Sequence, residues 1–483
     1  MDFFLKDGGD YRNIVHQGYY PILTKNPDGS FLIQKRNGTF YRFDSAGRLT
    51  LISDTNGNKV SLYYGAHGLL SRVVGPGGQE FTFNYYQNRL TAVTGPGGNT
   101  VRYIYDHDGN LREVIDPLGY STIYWYNDQG LLAKARRPRL HFTYFEYNAQ
   151  GQLIEVYENG GLHEVQISRN PSTSQLSITD ANGKETIYTL DSWGNISSIL
   201  DLTGEVVISR DSQGNITSIV DQEGNRWNFA YDERGNILTV TDPLNQTTQF
   251  TWDDTFNKIT SVVDAEGHRF QADYDTKGNL TLLRDSLDHV TRYEYDSRGN
   301  CIRKIDPLGR VTRYEYTATN RLTKVIYPDG STLIYEYDQL GNIIRKTDPQ
   351  GNTIRYQYNY RNQLTKKIYP DGTTVEYGYD PAGNLLWARD AEGTILFSYD
   401  EVNRHIRTTY PNGESIAYEY DSAGNVIRLI YPDGTTILYS YDKQGRMISL
   451  TDLQSEEKFE FEYDNLGRRT KLVYPNGDYT VYE

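Results

Sequence analysis

The chain has 483 residues, 37% of them hydrophobic, and 49 Lys plus Arg against 63 Asp plus Glu give it a net charge of −14. That balance argues against nucleic acid as the main partner. The single cysteine, Cys301, excludes an internal disulfide framework, and no 20-residue apolar run is present to span a membrane as a helix.

From the N-terminus, Met1-Asp2-Phe3-Phe4-Leu5-Lys6-Asp7 is too short and acidic for a signal peptide, so the chain reads as soluble and not exported by its own N-terminus. Residues 1–30 fit the later pattern poorly and are expected to form a leading strand or two that cover a sheet edge. Residues 31–483 are a repeat. Its aromatic slot falls at Phe43, Tyr64, Tyr85, Tyr105, Tyr126 and Tyr147, then fades near Ser168, Leu190 and Arg210. It returns at Tyr231, Trp252 and Tyr274 and continues to Tyr463. These 21 occurrences have a mean spacing of 21 residues, (463 − 43)/20. The period excludes ankyrin, TPR and WD40 units, and a turn signal about every ten residues leaves no room for helices.

One unit is one β-hairpin. In Tyr418-Glu-Tyr-Asp-Ser-Ala-Gly-Asn425 the aromatic run ends at Asp421, whose side chain can accept a backbone N–H, while Gly424 supplies a positive φ. The return run, Val426 to Tyr431, stops at Pro432-Asp433-Gly434. The same logic marks Tyr295, Asp296 and Gly299, then Tyr337, Asp338 and Gly341, then Tyr420, Asp421 and Gly424, then Tyr441, Asp442 and Gly445 as residues that define the repeat. In Ser331–Asp338, Leu333, Tyr335 and Tyr337 share one face, with Thr332, Ile334 and Glu336 on the other. Leu322 and Val325 lie three apart on the return strand, a spacing that a bulge after the turn reconciles. A lone hairpin is marginal in water, so hairpins are expected to pair side by side. The fold class is therefore all-β, about 42 strands in a long curled sheet on the order of 200 Å along. The 43 Tyr against 16 Phe suggest a wall apolar towards its neighbours and wet at its rim.

Between about 136 and 210 the units are degenerate: Arg137-Pro138-Arg139-Leu140 fills an Asp-Pro-x-Gly slot, and Asn170-Pro-Ser-Thr-Ser174 replaces an Asp-x-x-Gly turn. Lys134, Arg136, Arg137 and Arg139, with His141, form the one local basic cluster. It reads either as a contact for an anion or acidic partner, outside or at a seam, or as a solvated edge that discourages aggregation. At the far end the register counted from Gly477 places paired tyrosines at Tyr482 and position 484, so the chain stops in mid-strand and reads as a fragment whose partner strands lie downstream.

Tyr293-Glu-Tyr-Asp-Ser-Arg-Gly-Asn300 and Tyr335-Glu-Tyr-Asp-Gln-Leu-Gly-Asn342, alternating with Asp306-Pro-Leu-Gly309 or Tyr327-Pro-Asp-Gly330, resemble the YD (Rhs) repeats of bacterial polymorphic toxins, of the C components of insecticidal toxin complexes and of the teneurin shell. The resemblance covers roughly residues 30–483. It implies a spiral shell around a C-terminal effector that self-cleavage releases, held in the bacterial cytoplasm before export and then secreted or displayed on the cell. The Pro-Ala-Ala-Arg spike domain, the effector and an unambiguous cleavage region do not appear in the sequence.

No chemistry stands out. His16, His67, His107, His141, His163, His268, His289 and His405 show no metal-ligand spacing, and the recurring Asp residues are periodic where a catalytic pair is singular. The expected function is a non-enzymatic shell segment without cofactor, whose partners are an encapsulated effector or further shell repeats. The alternative is a carbohydrate-binding or adhesive surface in which exposed Tyr and Trp stack on sugars, though five Trp are few for that role.

Overall fold

The computed structural model describes residues 4–7, 10–13 and 22–482. The expected edge segment, residues 1–30, lies partly outside them. Inside them, Phe4–Asp7 pairs antiparallel with Asp10–Asn13, which pairs with Ile22–Lys25. Two compact units form: Met1–Thr100, Ser209–Ile219 and Arg226–Tyr356 make the first, and Val101–Ile208, Val220–Asn225 and Gln357–Glu483 the second.

Among the described residues there are 47 strands and no α-helix. The 42 strands expected from 21 units run from Phe40–Phe43 to Arg469–Val473; four precede them and one follows. Within each unit the strands pair antiparallel with their neighbours in sequence, for example Val290–Tyr295 with Cys301–Ile305 and that strand with Val311–Tyr316. The sheet is essentially one layer thick. Only Ala135, Val325 and Val402 are buried apolar residues among those described, so strand pairing and cross-strand contacts carry the stability that a filled core supplies in a globule.

Register assigns the two faces. Tyr293 opposes Lys304 on one, and Glu294 opposes Arg303 on the other. The second face is a charged ladder repeated with the period: Arg303–Glu294 at 2.6 Å, Arg345–Glu336 at 3.0 Å and Arg428–Glu419 at 3.2 Å. The alternation expected for Ser331–Asp338 holds, since Tyr335 faces Lys346 while Ile334 and Glu336 face Thr347 and Arg345.

The turns are closed by the repeat's aspartates. Oδ1 of Asp421 accepts the backbone N–H groups of Ala423 at 3.0 Å and Asn425 at 2.8 Å, and Oδ2 accepts the Asn425 amide at 2.8 Å. Gly424 sits at φ +92°, and in sister turns Asn320, Asn362 and Asn403 take that place at φ +60° to +66°, as the non-Gly residue best suited to the left-handed region. At Asp275, Asp296 and Asp442 burial pushes the carboxyl up, but hydrogen bonds from the turn outweigh it and hold the group below the usual range. A depressed folded pKa gives stability that is present above the unfolded value near 3.8 and lost as pH falls through the folded one. Far-ultraviolet circular dichroism should therefore be flat from pH 7 to 5 and fall below about pH 4; an unchanged spectrum at pH 2.5 would contradict the turn-capping role.

The bulge foreseen after the turn is present in nearly every unit. Tyr316 opposes Leu322 and Glu315 opposes Lys324, which leaves Thr323 as the extra residue. A bulge releases two carbonyls from the ladder. One is capped locally when the extra residue carries a hydroxyl: Thr323 donates to Glu315 O at 3.0 Å, and Thr281, Thr365 and Ser71 do the same in their units. The other is capped by the aromatic slot of the following unit. Tyr337 donates to Leu322 O at 2.6 Å, Tyr316 to Cys301 O at 2.8 Å, Tyr420 to His405 O at 2.5 Å and Tyr441 to Val426 O at 2.8 Å. Tyr64, Tyr126, Tyr147, Tyr231, Tyr274 and Tyr379 repeat this bond, each from 15 residues downstream. The phenols of the slot are thus not a wet rim, as the composition suggested; they hold the hairpins to each other.

Three exceptions keep to the same rule, whereas Arg210 donates to Gly214 O of its own turn. Trp252 makes the bond with Nε1 to Ile237 O at 2.8 Å. Where the slot holds Ser168, the neighbouring Arg169 reaches Leu153 O at 2.7 Å. Leu190 has no donor and its preceding hairpin, Leu162–Asn170 with Gln175–Thr179, has no bulge to cap.

Candidate functional site

Each unit contains two passages of chain laid edge on edge, so that the Pro-type turns of the earlier passage meet the Asp-x-x-Gly turns of the later one. In the first unit the seam is mainly a set of amide bonds, with Arg36 Nη1 donating to Arg234 O at 2.6 Å. Asn56 and Asn279 exchange two side-chain amide bonds at 3.0 Å, the Asn320 amide donates to Asn58 Oδ1 at 2.9 Å, and Asn58 donates to Arg298 O at 2.9 Å. In the second unit it is ionic. Arg361 bonds Asp116 and lies 4.7 Å from the Tyr120 ring, Arg139 Nη1 donates to Asp380 Oδ2 at 2.9 Å, and Arg468 Nη2 lies 3.1 Å from Glu223 Oε2. The bonded residues are 198 to 262 apart in sequence, roughly nine to twelve hairpins of the 21-residue period.

Along the later edge, turn cations bind the next turn in the row. Arg404 pairs with Asp400 at 2.6 Å, donates to Asp421 O at 2.7 Å and stacks 4.9 Å from the Tyr420 ring. Arg446 repeats this on Asp442, Asp464 O and Tyr463.

The basic cluster splits. Arg139, in the turn Pro138–Leu140 at φ +69°, enters the seam to Asp380 and reaches Tyr399 O at 3.3 Å. Lys134 lies over three rings, 4.0 Å from Phe142, 4.9 Å from Tyr144 and 5.6 Å from Trp125. Arg136 and Arg137 sit in the strand Leu132–Arg137, opposite Phe142 and His141. The structure adds a group that spacing rules for metal ligands do not flag. His141 and His163 flank Glu158, with His141 Nε2 2.9 Å from Oε1 and His163 Nδ1 2.8 Å from Oε2. They are 22 residues apart, about one repeat, and that period was the available signal.

Elsewhere the histidines serve the architecture. His268 and His289 pair with Asp264 and Asp285 of their own turns at 2.9 and 3.0 Å, and His405 packs 5.2 Å from the Tyr418 ring. His67 and His107 lie in turns, as expected; His16 is outside the described residues. No group of three His, Cys, Asp or Glu placed to hold a metal occurs among the described residues. No helix among them is long and apolar enough to cross a membrane. Burial pushes the Cys301 thiol up, against a hydrogen bond with the Arg303 backbone and the charge of Lys304. At pH 8 Cys301 should therefore react with a thiol reagent more slowly than free cysteine, and a faster rate would mark it as an activated nucleophile.

The family model for the teneurin YD-shell matches residues 164–371 and 358–483, about two thirds of the chain. The chain belongs to the YD-shell family. The RHS repeat model matches residues 43–80, 85–111 and 105–139 of this YD shell. Among solved structures, the crystal structure of TcdB2-TccC3 is similar with a TM-score of 0.68 at 15% identity, over 97% of this chain and 33% of that one. TcdB2-TccC3-Cdc42 gives 0.68 at 14% identity, over 98% and 35%. At these identities the likeness concerns the fold, and the YD-shell chain spans about a third of the length of the structures it matches. No curated protein sequence matches it.

Proposed function

We propose that the chain is a non-catalytic wall segment that keeps a cargo polypeptide apart from the cell that makes it, in a protein made in the bacterial cytoplasm and then exported. The observation that carries this reading is the single-layer sheet, whose hairpins are bound sideways by the slot tyrosines and whose passages are bound edge to edge by the seam inside each compact unit. Membership of a structural family supports it. On this reading the partners are an effector or further shell repeats. The twelve tyrosine, aspartate and glycine positions from Tyr295 to Gly445 act in building the wall rather than in chemistry, and Arg139 joins two passages of it. The test is protease shielding. A disordered reporter appended to the C-terminus should be cut at least tenfold more slowly by trypsin than the same reporter fused to an unrelated globular protein, whereas equal rates would end the reading.

A further inference from the structure

The ionic seam of the second unit contains a buried imidazole inside a chain of hydrogen bonds whose direction is fixed. His141 is 2% exposed. The chain starts at Asp380, whose Oδ2 accepts from Arg139 and from the Asn384 amide at 2.9 Å each. A carboxylate only accepts, so the nitrogen of Asn384 must face it, and the other hydrogen of that amide goes to Asn403 Oδ1 at 2.8 Å. Asn403 therefore presents its own Nδ2 to His141, at 3.0 Å from Nδ1. Nδ1 must accept, which leaves the proton of a neutral imidazole on Nε2, 2.9 Å from Glu158 Oε1 though poorly aligned with it.

We infer that His141 is an acid-sensitive latch on this seam: protonation of Nδ1 turns an acceptor into a second donor facing the Asn403 amide, and that bond across the seam is lost. The opposing charges do not rescue it. Arg139 belongs to Asp380 and Arg404 to Asp400. Arg137 is the cross-strand neighbour of His141 and opposes further positive charge. Glu158 favours an imidazolium but is shared with His163, and it approaches Nε2, so it supplies no acceptor at Nδ1. The nearest seam contact on the other side, His163 N to Ser422 O at 2.9 Å, is a single backbone bond. Acid is what places a proton on Nδ1, so the latch holds at neutral pH and opens as pH falls. The Asn seam of the first unit has no such group and is the internal control. The inference concerns the seam, whatever the wall encloses, so its failure leaves the shell reading standing.

The test is hydrogen exchange on the whole chain at pH 7.5 and 5.5, corrected for intrinsic rates. Protection of residues 139–143 and 400–404 should drop about tenfold at the lower pH, the size expected from orphaning a buried donor, while residues 56–58 and 320 hold. Asn403→Asp offers Nδ1–H an acceptor and should abolish or reverse the drop; Asp288 already takes φ +65° at such a turn position, so the backbone tolerates it. Unchanged protection in the native chain, or an Asn403→Asp variant that loses protection as the native chain does, overturns the inference. Independently, ¹⁵N spectra at pH 7.5 should show His141 as the Nε2–H tautomer, and an Nδ1–H form overturns it even if the variant does not fold.

Discussion

Tyr337→Phe is expected to destabilise its stretch of sheet by about 1–3 kcal/mol, because Leu322 O, released by the bulge at Thr323, loses the hydroxyl that satisfies it at 2.6 Å. The ring and its packing stay, so the change isolates one hydrogen bond. Hydrogen exchange should show faster opening of Leu322–Ile326 and Thr332–Tyr337 with distant hairpins unaffected, as in a quasi-one-dimensional array. The specificity control is Tyr335→Phe in the same strand, whose phenol makes no such bond to a bulge carbonyl, and equal losses from both would sink the argument. Alkali addresses the tyrosines together. Burial, with the nearby Cys301 charge next, pushes Tyr295 up to about 12, and Tyr316, Tyr337, Tyr420 and Tyr441 shift the same way. A raised folded pKa contributes stability that is complete below the unfolded value of 10.0 and is lost as pH rises through the folded one. Loss of β signal should therefore fall between about pH 10 and 12.

The second large effect is expected at Gly77. A Cβ there would lie 2.2 Å from Thr319 Cγ2 and 2.6 Å from Thr319 Cα in the opposing passage. Backbone cannot swing aside as a flexible side chain does, so Gly77→Ala should force the first unit's seam apart at a cost of about 1–3 kcal/mol. Gly78, the next residue, is the counter-test. It sits at φ +81° with open space around it, so Gly78→Asn should be close to neutral, since Asn accepts that conformation in Asn245 at φ +61°. Thermal unfolding of the two variants separates seam crowding from turn strain, and matching losses would refute the close approach.

The hairpins, the 21-residue period, the Asp and Gly turn roles and the bulge were legible because each is local, set by residues within one unit. The ladder from Tyr337 to Leu322 O was not, although the excess of Tyr pointed at it. The bond joins one unit's phenol to a carbonyl that only the previous unit's bulge sets free, and composition alone reads such a phenol as solvated. The seams were less legible still. Asn56 and Asn279 look like any other turn residues, and their meeting depends on the accumulated twist of about eleven hairpins, a sum that no short window contains. His141 and His163 show both limits at once, since the repeat length brings them together and Asn403 reaches His141 only across the seam.

Because most bulges leave one carbonyl that is satisfied by a donor about 15 residues further on, as Cys301 O is by Tyr316, most hairpins are not completed by their own residues. During synthesis the newest bulged hairpin on the ribosome would carry one unmet acceptor, and order would advance along the nascent polypeptide one unit behind elongation. Growth would be directional, with most segments sealed by their successors, and an internal deletion would leave its mark on the unit upstream of the cut.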